Sequence, residues 1–374
     1  MISVGINALS LGKELVGTGQ YTYHLIRGLA KIDQTNNYLL IKNKAVDVGI
    51  NENRNIQYVD LFLYGRFHRI LLENTYLPYI IQQNRLDVFH SPIFTLPFYM
   101  PVPCVVTIHD LVIDKFPETI DFKRRLYLWA AIRHSIAKAD RIIAVSECTK
   151  RDIVKRFNVS ETKIDVIHEA AAPGFCQYKT SDSTLRICRQ YRIDKPYILY
   201  VGTIEPRKNL TALIRAYARL KTSAAIKHEL VIVGKKSWYY GKLFREISRE
   251  SIQDDVIFTG YLPRLYLPHF YNAADLFILP SLYEGFGLPI LEAMACGTPV
   301  IASNVSALPE VAGDAAILID PYDVEAIAEA MYRVLTDGDL RAELVKRGLE
   351  RVKQFSWERC ARETLRVYEK ALSC

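Results

Sequence analysis

Short runs of β-branched and other apolar residues alternate along this chain with longer segments whose apolar positions recur every three or four residues. The short runs fall at residues 2–9, 38–41, 56–61, 87–90, 104–109, 141–145 and 164–168, and then at 197–201, 230–233, 256–258, 276–279, 299–302 and 316–319. Such near-continuous apolar runs predict strands buried on both faces. Helix-length amphipathic segments lie between most of them, for example at 20–32, 210–220 and 324–336, and a last one at 357–372. Strand–helix alternation of this kind predicts a parallel sheet covered by helices on both sides. It occurs twice, so the expected fold is α/β, with two doubly wound, Rossmann-like parallel-sheet domains.

The chain has 374 residues, too many for one core and comfortable for two domains of roughly 150–200 residues each. A short polar stretch, Lys179-Thr180-Ser181-Asp182-Ser183-Thr184, separates the two sets of strands, and Lys195-Pro196 introduces a fresh one. The predicted units are therefore residues 1–180 and 181–356, with the helix at 357–374 packing back on the first. Open α/β sheets bind ligands at the C-terminal ends of their strands. Two such sheets are expected to face an interdomain cleft there.

Composition narrows the setting. The seven cysteines, Cys104, Cys148, Cys176, Cys188, Cys296, Cys360 and Cys374, are odd in number, scattered and free of any CxxC pair. That argues against a disulfide framework and a zinc site and fits a reducing cytoplasm. No signal peptide is legible at the N-terminus, and no apolar run reaches the roughly 18 residues a membrane span needs. The formal charge of +7 is modest, but residues 115–156 hold 11 Lys/Arg against 5 Asp/Glu. There Phe122-Lys123-Arg124-Arg125-Leu126-Tyr127-Leu128-Trp129 mixes bases with large apolar groups, as does the segment from Tyr64 to Ile81. Such helices can lie on an anionic membrane surface, at the inner face for a cytoplasmic protein, or simply present a solvated face. Nothing resembles a nucleic-acid-binding motif.

The chemistry concentrates in the second half. From Asp275 the chain reads as a strand, a glycine loop holding Glu284-Gly285-Phe286-Gly287, a helix beginning near Leu288-Pro289, a stop at Gly297 and another strand. Proline suits a first helical turn and glycine the position after a helix end. Glycines let the backbone approach a ligand closely, and a helix N-terminus offers amides and partial positive charge to a phosphate. Glu284 lies before this helix start and Glu292 inside it. Either acid could simply balance the helix dipole. Carboxylates also accept hydrogen bonds from ribose or hexose hydroxyls, so the loop equally suits a nucleotide sugar.

The Glu-x7-Glu spacing from Glu284 to Glu292, with Gly-Phe-Gly-Leu-Pro inside it and Gly297-Thr298-Pro299-Val300 after it, resembles that of retaining glycosyltransferases of the GT-B fold, family 4. So do Gly202-Thr203-Ile204-Glu205-Pro206-Arg207-Lys208-Asn209, Gly260-Tyr261-Leu262, Gly17-Thr18-Gly19-Gln20-Tyr21 and Ile108-His109-Asp110. The matches run in the family's order through most of the chain.

The resemblance implies a metal-independent, cofactor-free hexosyltransferase. It would move a sugar from a nucleoside-diphosphate donor, UDP-glucose first and GDP-mannose second, to a glycan or lipid-linked oligosaccharide in polysaccharide synthesis. It implies that Glu292 holds the donor ribose and Glu284 contacts hydroxyls of the transferred sugar. Arg207 and Lys208 would bind the diphosphate, helped by the amides of Phe286, Gly287 and Leu288. Leu262 would lie near the base, Gly17, Thr18 and Gly19 would approach the diphosphate, and His109 would sit by the reacting carbon. Many relatives have a further Arg just after the glycine matching Gly202, where this chain has Thr203. Read without the resemblance, His109 could be a core histidine and Arg207-Lys208 a solvated turn. Asp337-Gly338-Asp339 has the form of a metal-binding Asp-x-Asp but lies between late helices and reads as a turn. A sugar-nucleotide epimerase or phosphorylase of the same fold, and a non-catalytic nucleotide-sugar-binding protein, are the competing functions, with a nicotinamide oxidoreductase more remote.

Overall fold

The computed structural model describes residues 1–12, 17–47, 49, 55–178, 181–224, 226–235 and 238–373, with the side chain of residue 66 outside that description. The polar stretch at 179–184 therefore lies partly outside the described residues. The chain forms two compact units. The first comprises Met1–Glu169 and Ser356–Cys374, the second Ala170–Phe355.

Among the described residues, the first unit holds seven strands: β1 (Ser3–Ala8), β2 (Asn37–Asn43), β3 (Ile56–Leu61), β4 (Val88–Ser91), β5 (Cys104–Ile108), β6 (Arg141–Ala144) and β7 (Ile164–Val166). All pair in parallel, in the order β3-β2-β1-β4-β5-β6-β7. Every residue of β4 and β5 is buried, which explains why these strands read as apolar runs rather than alternations. The order reverses between β1 and β4, so the C-terminal ends of these neighbours diverge and leave a crevice for a ligand.

The helix Thr18–Ile32 buries Tyr21, Leu25, Ile26 and Leu29 on one stripe. Gly28 faces the C-terminal helix Trp357–Leu372 so closely that an added Cβ would sit 2.8 Å from the Trp357 carbonyl oxygen. That last helix starts at Ser356, whose side chain accepts from the Arg359 amide, and buries Trp357, Cys360, Ala361, Thr364, Val367, Tyr368 and Ala371. The spacing is an unbroken helical stripe. The Trp357 ring stacks on His24, with centroids 5.0 Å apart. The last helix is thus part of the first unit's core.

The second unit holds β8 (Tyr197–Val201), β9 (Glu229–Val233), β10 (Val256–Gly260), β11 (Leu276–Leu279), β12 (Val300–Ser303) and β13 (Ile317–Ile319). They are again parallel, in the order β10-β9-β8-β11-β12-β13, with the reversal between β8 and β11. The chain enters this unit earlier than the polar stretch at 179–184 suggests. Asn272 holds the incoming segment at both ends of its side chain. Its Nδ2 donates to the Cys176 carbonyl at 3.0 Å and its Oδ1 accepts from the Tyr178 amide at 2.9 Å. Phe175 meets the Tyr271 ring edge-on at 5.8 Å.

Candidate functional site

At the reversal point of the second sheet, two loops leave the C-terminal ends of adjacent strands. One follows β8 through Gly202 to a tight turn at Pro206–Lys208, and the other follows β11 to Glu284. The Leu282 amide donates to the Arg207 carbonyl at 2.7 Å, which zips the loops together. Arg207 Nη1 donates to the Tyr283 carbonyl at 3.0 Å and to Glu284 Oε2 at 2.9 Å. Lys208 Nζ donates to Glu284 Oε1, which also accepts from Ser281 Oγ at 2.7 Å. Arg207 Nε pairs with Glu205 at 2.7 Å, and Ser306 Oγ accepts from the Glu284 amide at 3.0 Å.

Glu284 and Lys208 are both buried. Burial by itself pushes a carboxyl pKa up. Here the charges of Lys208 and Arg207, with hydrogen bonds from Lys208 and Ser281, overcome it and pull Glu284 down to about 2. Lys208 shifts down because its own burial outweighs the pull of Glu284. The resemblance assigns Glu284 to sugar hydroxyls. The structure shows that it also holds both cations expected on the diphosphate.

The helix expected near Leu288 spans Leu288–Ala295 and carries proline in its first turn. Gly287 precedes it with φ 115°, and an added Cβ there would approach Leu308 Cδ2 to 2.8 Å. Both facts restrict the position to glycine. Phe286 is buried, with its ring edge-on to Phe355 at 6.0 Å, so only its backbone suits ligand binding.

Glu292 is also buried. Its Oε1 accepts from Arg264 Nη2 at 3.0 Å and its Oε2 from the Tyr271 hydroxyl at 3.2 Å. Burial raises its pKa despite Arg264 and Tyr271. Arg264 follows Leu262, itself buried, in the turn after β10, and its guanidinium lies 5.0 Å from the Phe175 ring centroid. The structure therefore joins the Leu262 turn to Glu292, and Arg207 and Lys208 to Glu284. Thr203 is exposed, and its carbonyl accepts from the Tyr200 hydroxyl at 3.2 Å.

In the first unit, Gly17 precedes the helix Thr18–Ile32 with φ 49°. The Thr18 carbonyl accepts from Thr22 Oγ1 at 2.9 Å, and Gly19 has room for a Cβ, 3.7 Å from the Ser10 carbonyl oxygen. Tyr21 on this helix meets His109 edge-on, with centroids 4.7 Å apart. His109 follows β5 and has both ring nitrogens engaged, Nδ1 with Glu169 Oε1 at 3.0 Å and Nε2 with the Pro92 carbonyl at 2.9 Å. A carbonyl only accepts, so Nε2 carries a hydrogen. Burial lowers the His109 pKa, but Glu169 and the Pro92 carbonyl turn the net shift upward. This ring offers no free lone pair, so it is not arranged as a general base.

Some participants carry no local signal. Ser306 and Tyr271 reach the acids only through tertiary packing, whereas Ser281 stands three residues before Glu284 and Arg264 two residues after Leu262. Asp337 caps the helix Gly338–Val352 by accepting from the Leu340 amide at 2.9 Å. Among the described residues, no group of three or more His, Cys, Asp or Glu is placed to hold a metal.

Both units have the architecture of the α/β GT-B fold. The chain superposes on sucrose-phosphate synthase from Thermosynechococcus elongatus with a TM-score of 0.77 over 100% of both chains, at 21% identity. Residues 16–171 match the family model described as Glycosyltransferase Family 4, and residues 186–351 that of Glycosyl transferases group 1. Over 374 aligned residues, 95% of this chain and 96% of the relative, it is 32% identical to O-antigen chain mannosyltransferase B of Escherichia coli. It is also 32% identical over 238 residues to the serotype-specific mannosyltransferase WbdA of Escherichia coli, covering 63% of this chain and 29% of that protein. The chain belongs to the group 1, family 4 glycosyltransferases of the GT-B fold.

Proposed function

We propose that this glycosyltransferase moves a mannosyl residue from GDP-mannose to a glycan or lipid-linked oligosaccharide, with retention of anomeric configuration and without a metal. The motifs do not specify the donor, and from the sequence UDP-glucose is expected first and GDP-mannose second. Mannosyl transfer, named for the full-length relative, moves the proposal to GDP-mannose.

The observation that carries the proposal is the cluster of partly buried Arg207 with buried Lys208, Ser281 and Glu284 at the strand ends where the sheet order reverses. Cations held in place before the reaction stabilise charge as it develops on a leaving diphosphate. Glu284 keeps them in position, and its remaining lone pair on Oε2 suits a sugar hydroxyl. Glu292, fixed by Arg264 and Tyr271, suits a ribose. The amides at Gly287 and Leu288 complete the donor side.

Two carboxylates flanking a scissile bond would support double displacement, but Glu284 is ion-paired and Glu292 is engaged elsewhere. A front-face step fits better. The acceptor oxygen bonds to the anomeric carbon while the bond from that carbon to the diphosphate oxygen breaks on the same side. The departing phosphate takes the hydroxyl proton.

Differential scanning fluorimetry with GDP-mannose, UDP-glucose, GDP and UDP tests the donor. A ligand present at about 100 times its Kd stabilises by about 2.7 kcal/mol, so GDP-mannose should raise Tm most. A larger rise with UDP-glucose returns the assignment to glucose. NMR of the product anomer tests retention, and an inverted centre rejects the front-face step.

A further inference from the structure

We propose that Cys176 and Cys296 of the second unit form a disulfide in response to peroxide, and that this reversible bond weakens nucleotide binding beside Glu292. Both are free thiols, Cys176 exposed and Cys296 buried. They are distant in the chain, and the fold brings them together. Asn272 fixes the backbone on either side of Gln177, through the Cys176 carbonyl and the Tyr178 amide. The Gln177 side chain then lies against Gly297, where an added Cβ would stand 2.5 Å from Gln177 Nε2. Gly297 holds φ 73° just beyond the helix Leu288–Ala295, a conformation that suits glycine and leaves room for this contact. Each cysteine is the chain neighbour of one member of that contact. The Cys176 amide completes the approach by donating to the Cys296 sulfur. The Cys176 sulfur is joined to that nitrogen through only Cα and Cβ, so a change of χ1 turns one sulfur onto the other. Cys188 is engaged elsewhere, its sulfur 3.9 Å from the Tyr197 hydroxyl.

The exposed Cys176 sulfur meets the oxidant first. It bonds to one peroxide oxygen, the O–O bond breaks, and the leaving hydroxide departs as water with the thiol proton. The Cys296 sulfur then bonds to the Cys176 sulfur, the S–O bond breaks, and the second hydroxide departs as water with the Cys296 proton. Both thiols are oxidised and one peroxide is reduced. Burial first, and then Glu292, raise the Cys296 thiol, so this sulfur keeps its proton until Cys176 has been oxidised.

The bond acts on the supports of Glu292. Phe175, adjacent to Cys176, lies against the Arg264 guanidinium and edge-on to Tyr271, the two residues that hold the Glu292 carboxylate. Cys296 stands one turn after Glu292, and its amide donates to the Glu292 carbonyl at 3.2 Å. Closing the disulfide replaces the amide–sulfur contact and draws residues 175–177 toward the helix end. Phe175 moves with them, and Arg264 loses its fixed place on Glu292. This consequence rests on the proposed role of Glu292 at the ribose, whereas the disulfide itself does not.

Peptide mapping of the full chain tests the bond. After hydrogen peroxide, denaturation and alkylation, mass spectrometry should find the proteolytic peptides of Cys176 and Cys296 joined, and dithiothreitol should separate them. Cys176→Ser, at an exposed position, should abolish the joined species and keep the parent's Tm under reducing conditions. Cys176 recovered as a sulfinic acid with Cys296 still alkylated, or joined to another cysteine or to a second copy, overturns the proposal. Titrating GDP and UDP in thermal melts tests the coupling. Both carry the ribose, so whichever stabilises the reduced chain serves. The oxidised chain should need at least about fivefold more nucleotide for the same Tm shift, and peroxide-treated Cys176→Ser should match the reduced parent. An equal requirement in the oxidised and reduced chains overturns the coupling. Joined peptides in a chain that neither nucleotide stabilises when reduced would uphold the disulfide and reject the proposed donor site, and the coupling with it.

Discussion

Glu284 keeps its charge in a place from which water is largely excluded, because Lys208, Arg207 and Ser281 all point hydrogens at its carboxylate. A buried acid lowered from 4.5 to about 2 adds stability that is fully present above the unfolded pKa and is lost as pH falls toward 2. The shift corresponds to about 3 kcal/mol. In denaturant melts between pH 7 and pH 2, the parent chain should therefore exceed Glu284→Gln by a margin that shrinks below about pH 4.5. A constant margin would reject the ion-paired assignment. His109 has the opposite sign. Its pKa is raised, so the stability it contributes is present at low pH and fades as pH rises through its folded value. NMR should find both imidazole N–H protons and a pKa above 6.5. Glu169→Gln should lower that pKa, and an unchanged value would deny Glu169 its role.

At the level of elements, the site depends on turns that admit particular residues. Gly287→Ala places a Cβ at a positive φ and against Leu308. A strained backbone of this kind costs about 1–3 kcal/mol, so Tm should fall and donor affinity with it. Unaltered Tm and affinity would show that the turn relaxes freely. These elements were largely legible beforehand, since the thirteen strands among the described residues lie where the apolar runs place them and the helix at Leu288 begins with its proline. Burial on both faces writes a strand into local sequence. The clamp on Glu292 was not legible, because Arg264 and Tyr271 stand 28 and 21 residues away and share no periodicity with it.

At the scale of the whole molecule, the C-terminal helix completes the first unit. A buried chain of hydrogen bonds links the Tyr368 hydroxyl to His90 Nδ1 at 2.7 Å, His90 Nε2 to Thr107 Oγ1 at 2.9 Å, and Thr107 Oγ1 to the Tyr21 hydroxyl at 3.2 Å. Burial first, and the nearby His109 charge, lower His90 to about 3, so it acts here as a neutral ring. Tyr368→Phe leaves a buried nitrogen unpartnered and should cost about 1–3 kcal/mol. Truncation after residue 355 removes the whole stripe. It should abolish hydrogen-exchange protection of the helix Thr18–Ile32, and retained protection would show that the unit folds without it.

By itself the sequence determined the strands and helices, their division into two parallel sheets, the glycine turns and the membership of a glycosyltransferase family. Each of these follows from local spacing, burial periodicity or short motifs. Tertiary structure alone decided the partners. It placed Glu284 on two cations 76 and 77 residues away, engaged both nitrogens of His109, carried residues 170–178 into the second unit and folded the last helix into the first. Contacts between residues distant in the chain depend on strand order and loop path, which hydrophobic spacing does not encode.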